Sequence, residues 1–301
     1  MVGKENLMNA IALNSSIVNS GRIVGPAIAG VLVATIGEGY CFLVNGLSFL
    51  AIIAGLLMMC LPPSIQRSDT TSAVERFLVG WRYISGHAPV RHLLLLLGTV
   101  TRMNFPMIVL MPVFADRVLG GGPKTLGLLM SAIGAGAILG SLYIASRTSY
   151  YGLITRIAFA TPVYALVVIL FSFSRNLIIS CLLLAPIGFC LLLQYAGINT
   201  SVQTLVPDAL HGRVMGFYAL MSMGTTPFGS LLGGWLADWI GAQRTVALGG
   251  LMCLIAAYLF WRPRAVVNDA LVLVLKEREQ QGSMPFALEG PAGLASEAVS
   301  H

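Results

Sequence analysis

Two arginines stand where a charge is costly. Arg22 falls about midway along the apolar run 11–36, and Arg102 about one-third along the run 92–118. On insertion scales a guanidinium deep in hydrocarbon costs about 2.5–3.5 kcal/mol, so each must face protein or a wet cavity. No carboxylate occupies the centre of any apolar run. Arg22 is therefore expected to find its counter-charge on segments outside these 301 residues. Arg102 can bind an anionic substrate group or form a structural pair, while Asn104, two residues on, can hydrogen-bond toward a cavity or serve as polar glue between helices. Tyr195, Asn199 and Gln203 recur every four residues, which puts them in one slowly rotating stripe on a helix face. That stripe can offer hydrogen bonds to a cavity, or serve as polar glue between helices. No catalytic constellation accompanies these residues. The chain has no G-x-S-x-G, no H-E-x-x-H and no P-loop, and its five cysteines lie scattered without a C-x-x-C pair or histidines at ligand spacing. We expect no enzyme activity, no metal and no bound cofactor.

The elements that must hold these residues are spanning helices. Of the 301 residues 56% are hydrophobic and only 10% charged, with mean hydropathy +0.83. Soluble domains carry about 25% charged residues, so this chain cannot cover a water-facing surface. A helix crosses the roughly 30 Å hydrocarbon core with about 20 apolar residues. Eight runs qualify, at 11–36, 40–61, 92–118, 125–145, 153–173, 177–204, 214–239 and 245–261. The expectation is an all-α, polytopic transmembrane bundle of about eight spans, with the lipid bilayer as its main partner. Eight spans put both termini on one side. That side carries Lys4, Arg67, Arg76, Arg82, Arg91, Arg147, Arg156, Arg213, Arg262 and Arg264 near the span ends, against Arg117, Lys124, Arg175 and Arg244 on the other. The positive-inside rule then makes both termini cytoplasmic. This placement accounts for the net charge of +6 without any nucleic-acid partner.

One long hydrophilic connection interrupts the spans, at 62–91. Within it Val74, Phe77, Leu78, Trp81 and Ile84 share a helical face, opposite Glu75, Arg76 and Arg82. An amphipathic helix results, either lying on the inner membrane surface or packed on protein. The tail 265–301 is expected to be cytoplasmic, helical near 270–280 and disordered beyond.

A repeat organises the rest. Shifted by 204 residues, GPAIAGVLVATIG at 25–37 falls on GSLLGGWLADWIG at 229–241, with five of thirteen positions identical. Spans one and two thus correspond to spans seven and eight. Spans three to six precede the second copy but have no counterparts before the first. The parent architecture is then two six-span halves in parallel repeat, of which the first four spans are missing here. This divides the chain into 1–61, the last two spans of an incomplete N-terminal half; 62–91, a linker; 92–264, a six-helix half; and 265–301, the tail. Gly21, Gly25 and Gly30 in the first copy, and Gly229 and Gly233 in the second, let helix backbones approach closely, as does the pair Gly136 and Gly140. Their matched positions suggest an interface between halves, with packing inside one half as the alternative. Pro26 removes a backbone donor and kinks its helix near Arg22.

GRIVGPAIAG, the two six-helix halves and the long central connection resemble the major facilitator superfamily. The resemblance is to its drug and siderophore exporters of the enterobactin-exporter and macrolide-efflux type, and it extends from Lys4 to about Trp261. It implies a proton-driven exporter of small amphipathic molecules in a bacterial inner membrane, working by alternating access. It also implies that Gly21 to Gly30 form an antiporter-type motif, that the helix bearing Tyr195 lines a cavity, and that Asp208 and Arg213, in PDALHGRVMG, belong to a gating loop. Asp208 is further expected to cap the helix that follows. The alternative is a non-transporting truncated membrane protein or scaffold that needs a partner half.

Overall fold

A computed structural model describes residues 39–58, 72–147, 151–224 and 226–280. The first predicted span, with Gly21, Arg22, Gly25, Pro26 and Gly30, lies outside the described residues. The chain divides into two compact units, Met1–Thr71 and Ser72–His301. In the first unit the described helix is α1, Gly39–Leu57, whose mean hydropathy of 2.1 suits a membrane span.

The second unit is helical throughout its described residues. It runs α2 (Ala73–Gly86), α3 (Ala88–Val113), α4 (Gly122–Ala145), α5 (Leu153–Phe173), α6 (Leu177–Leu205), α7 (His211–Ala219), α8 (Thr226–Ile240), α9 (Ala242–Trp261) and α10 (Arg264–Gln280). With α1, six helices among the described residues are long and apolar enough to cross a membrane, and α3 with its π-helical extension is one of them. The predicted spans from 92 to 204 and at 245–261 are met to within a few residues, because unbroken apolar runs of this length leave little choice of element.

The predicted span 214–239 is instead two helices. α7 ends at Ala219, a π-helical turn occupies Leu220–Gly224, and α8 starts at Thr226. Pro227 explains the break. It has no N–H to donate back one turn, its ring collides with the carbonyl four residues earlier, and a helix accepts it best in a first turn. A second π-helical turn, Phe114–Val118, ends α3 beyond Pro106 and Pro112.

Neighbouring helices run in the order α4, α6, α5, α9, α3 and α8, with α3 also touching α6. Lipid tails are as apolar as leucine, so close fit rather than hydrophobic expulsion holds such a bundle together. The closest fit is between α4 and α6. A Cβ on Gly136 would sit 1.8 Å from the Ala185 carbonyl oxygen, and one on Gly188 would sit 2.0 Å from that of Ile133. The fully buried side chains Phe114, Phe171, Leu97, Met107, Ile157 and Leu184 fill the space between α3, α5 and α6. Leu139, Leu182 and Leu231 face outward, 59–73% exposed, as a lipid-facing surface requires.

α2 and α10 lie at the same end of the bundle. α10 buries Val267, Leu271 and Leu275, a stripe at four-residue spacing, and packs on α3, α5 and α6. It begins at Arg264, earlier than the helix expected at 270–280. α2 is capped by Ser72, whose hydroxyl accepts from the Val74 amide at 3.3 Å. Its buried positions are Gly80 and Ile84, while Val74, Phe77, Leu78 and Trp81 stay 51–66% exposed. The amphipathic helix therefore packs on protein along one edge and keeps most of its apolar face open.

Candidate functional site

The polar residues singled out above separate into two kinds. Asn104 is only 4% exposed, and its Oδ1 accepts a hydrogen bond from the Tyr164 hydroxyl at 3.1 Å. That bond ties α3 to α5 and makes Asn104 the interhelical glue of the two alternatives. Arg102, two residues earlier, turns the other way. It is exposed and has no hydrogen bond or ion pair among the described residues. A helix turns 100° per residue, so a shift of two positions carries a side chain to the far face. Pro106 and Pro112 lie farther along the same helix.

On α6 the stripe holds together. Gln203 Nε2 donates to Asn199 Oδ1 at 2.9 Å on an exposed face. Tyr195 is half-buried, and its backbone carbonyl accepts from the Tyr218 hydroxyl of α7 at 3.1 Å. The buried face of α6 carries a polar group that the four-residue pattern passes over. Gln194 is 1% exposed; its Nε2 donates to the Cys190 carbonyl at 3.2 Å, and its Oε1 lies 3.4 Å from Thr161 Oγ1 of α5. Gln194 and Thr161 were invisible as a pair, because nothing in one sequence registers α5 against α6.

The loop expected to act as a gate is short. Asp208 opens a single 3-10 turn, Asp208–Leu210, and Leu210 rather than Asp208 stands at the N-cap position of α7. Arg213 is half-buried on α7, against α2: a Cβ on Gly80 would lie 2.9 Å from the Phe217 ring and 3.5 Å from Arg213 Cβ. The Phe217 ring also sits 4.6 Å from Phe77 and 6.2 Å from Trp81, centroid to centroid. The linker helix α2 thus rests directly on α7. At the far end of α7, Thr101 of α3 has its hydroxyl 2.9 Å from the Met221 carbonyl in the π-helical turn.

Gly229 and Gly233 are both buried on α8. A Cβ on Gly233 would come within 2.5 Å of Pro106 Cβ, so its missing side chain admits α3. The close approach of Gly233 is inside this unit, and so is that of Gly136 and Gly140, which face α6. The repeat ends at Gly241, where φ of +87° requires a residue without a Cβ.

The arrangement positions hydrogen-bond donors, acceptors and the exposed Arg102 on helices built for a membrane, and among the described residues no group of three or more potential metal ligands comes together. Comparison with known proteins agrees with a transport role. Residues 1–293 match the family described as transmembrane secretion effector, of the major facilitator type. The chain is 25% identical over 279 residues to the staphyloferrin A transporter of Staphylococcus aureus, covering 91% of this chain and 67% of that one. It is 30% identical over 269 residues to the multidrug efflux pump Tap of Mycolicibacterium fortuitum, with 86% and 64% covered. Against an enterobactin exporter EntS of Escherichia coli the identity is 28% over 264 residues, with 85% and 58% covered. The chain therefore spans between about three-fifths and two-thirds of the length of these relatives. These are membrane transporters and not enzymes, and the chain belongs to the transmembrane secretion effector family of major facilitator exporters.

Proposed function

We propose that this chain is the greater part of a proton-coupled exporter of small amphipathic molecules, working by alternating access in a bacterial inner membrane with both termini cytoplasmic. The observation that carries the reading is Arg102: a permanent cation on a spanning helix, exposed and unpaired among the described residues, in a family of exporters. A guanidinium in that setting needs an anion, and a substrate carboxylate, catecholate or sulfonate supplies one. Tyr195, Asn199 and Gln203 on α6 add hydrogen bonds along the same route. The seven helices from α3 to α9, with α7 and α8 making one broken span, serve as the C-terminal half, within 92–264. Residues 1–61 contribute two spans of the other half, whose remaining helices a partner segment provides. Gly21 to Gly30, with Arg22 and Pro26, act at the contact between halves. α7, with Asp208 and Arg213 near its start, reports the state of the cytoplasmic gate to the linker 62–91 through Phe217.

Substrate protection tests the site. Asn199→Cys and Gln203→Cys, in the full chain in proteoliposomes, are alkylated with a maleimide and read peptide by peptide in a mass spectrometer. Carboxyfluorescein, an amphipathic anion, should slow alkylation of both cysteines, and Arg102→Gln should abolish that protection. Equal alkylation with and without the dye, in a chain that binds it, would remove α6 from the route.

A further inference from the structure

The end of the bundle away from α10 holds a cleft of about 470 Å³ that the transport route leaves unused. It is formed where α3 passes into its π-helical turn, where α8 ends and where α9 begins. Leu110 and Val113 give it an apolar wall, and Arg117, Asp238 and Arg244 give it charge. All three charged residues are exposed, and among the described residues neither arginine makes an ion pair or hydrogen bond. Two unpaired guanidiniums over an apolar wall form a receptor for something with an anionic head and a greasy body.

Depth identifies the source. Trp235 and Trp239, on either side of Asp238, are 57% and 75% exposed with ring centroids 5.4 Å apart. In membrane proteins exposed tryptophans gather at head-group level, where an amphipathic ring is half wet. The cleft thus opens at the depth of lipid phosphates. The flat guanidinium fork matches two phosphate oxygens at once. Asp238 can only accept hydrogen bonds when ionised, so it favours a head group that also carries an N–H or O–H donor. The π-helical turn bearing Arg117 belongs to a class of distortion found often at functional sites.

We propose that this cleft binds a phosphodiester head group, with Arg117 and Arg244 on the phosphate and Asp238 on the ammonium or hydroxyl of the head. Phosphatidylethanolamine and phosphatidylglycerol fit, whereas phosphatidylcholine offers the phosphate but no donor.

The full chain in detergent, incubated with each dioleoyl lipid, is read by native mass spectrometry. Retention of phosphatidylethanolamine and phosphatidylglycerol should exceed that of phosphatidylcholine at least fivefold. Arg117→Gln with Arg244→Gln should remove that preference, while Arg175→Gln, outside the cleft, should leave it. Asp238→Asn should lower phosphatidylethanolamine more than phosphatidylglycerol, because an ammonium loses a charge partner and a hydroxyl does not. Glycerophosphoethanolamine that competes as well as the intact lipid supports the phosphodiester site with a soluble source. Glycerophosphoethanolamine that fails to compete supports it with a membrane source. Equal retention of all three lipids, or a preference unchanged in the double arginine variant of unaltered helix content, overturns the proposal.

Discussion

Alanine at Gly136 tests how the bundle is held together. The added Cβ would lie 1.8 Å from the Ala185 carbonyl oxygen and 2.6 Å from its carbon, and separations under 3.0 Å are not sustained. α4 must therefore retreat from α6 by at least 1.2 Å, because the atoms in the way are backbone and cannot rotate aside. A gap of about 0.5–1 Å already forfeits a quarter to a half of each dispersion contact. α6 is the most extensive neighbour of α4, so the loss falls on the main attachment of that helix. Overpacking costs typically about 1–3 kcal/mol, and a backbone clash belongs at or above the top of that range. Gly134→Ala is the control. A Cβ there meets nothing within 4 Å, and alanine is the better helix former by about 0.8–1.0 kcal/mol. Both variants gain the same helix propensity, so they should diverge by the cost of the clash alone, about 3 kcal/mol, more than a hundredfold in the unfolding equilibrium. Unfolding in mixed micelles, titrated with sodium dodecyl sulfate and followed by helix content, measures the difference. If Gly136→Ala unfolds within about 0.5 kcal/mol of Gly134→Ala, close backbone approach is not what holds α4.

Other outcomes follow from the same structure. Tyr164→Phe removes the donor to Asn104 Oδ1 and leaves that oxygen buried; the bundle should lose about 1–2 kcal/mol in the same titration, toward the low end if a neighbouring group compensates. Leu271→Ala empties the middle of the α10 stripe and should cost about 2–5 kcal/mol of the local docking free energy, seen as faster proteolysis between Arg264 and Gln280 with the spans intact. Phe217→Ala removes the ring that Phe77 and Gly80 pack on, and should expose α2 to protease while leaving α4–α6 unchanged.

How much of this was legible in the sequence depends on the range of the interaction. The spans at 153–173 and 177–204 needed only the length of an apolar run, and hydropathy reads that directly. The break inside 214–239 escaped it because Leu220, Met221, Met223 and Phe228 keep the average apolar while Pro227 sets the geometry. The four-residue stripe of Tyr195, Asn199 and Gln203 was legible because it lies on one helix. Its buried counterpart, Gln194 with Thr161, needs two helices in register, as do Asn104 with Tyr164 and Gly136 with Gly188. The packing of Gly233 on Pro106 was hidden for the same reason, since a small-residue spacing shows that a backbone approaches closely but not which one. The α2 pattern showed an apolar face without showing that Gly80, its smallest member, is the point of contact.

The central claim is that the chain moves amphipathic molecules outward, with Arg102 as the anion contact. Its most direct measurement is carboxyfluorescein accumulation in energised bacterial cells expressing the full chain together with the segment that supplies the other half's remaining helices, the Arg102→Gln chain with the same segment at equal membrane abundance, or vector alone. Accumulation should be several-fold lower with the natural chain than with vector, a difference lost on adding a protonophore and lost in Arg102→Gln. Accumulation equal to vector, with the natural chain present in the membrane, would contradict it.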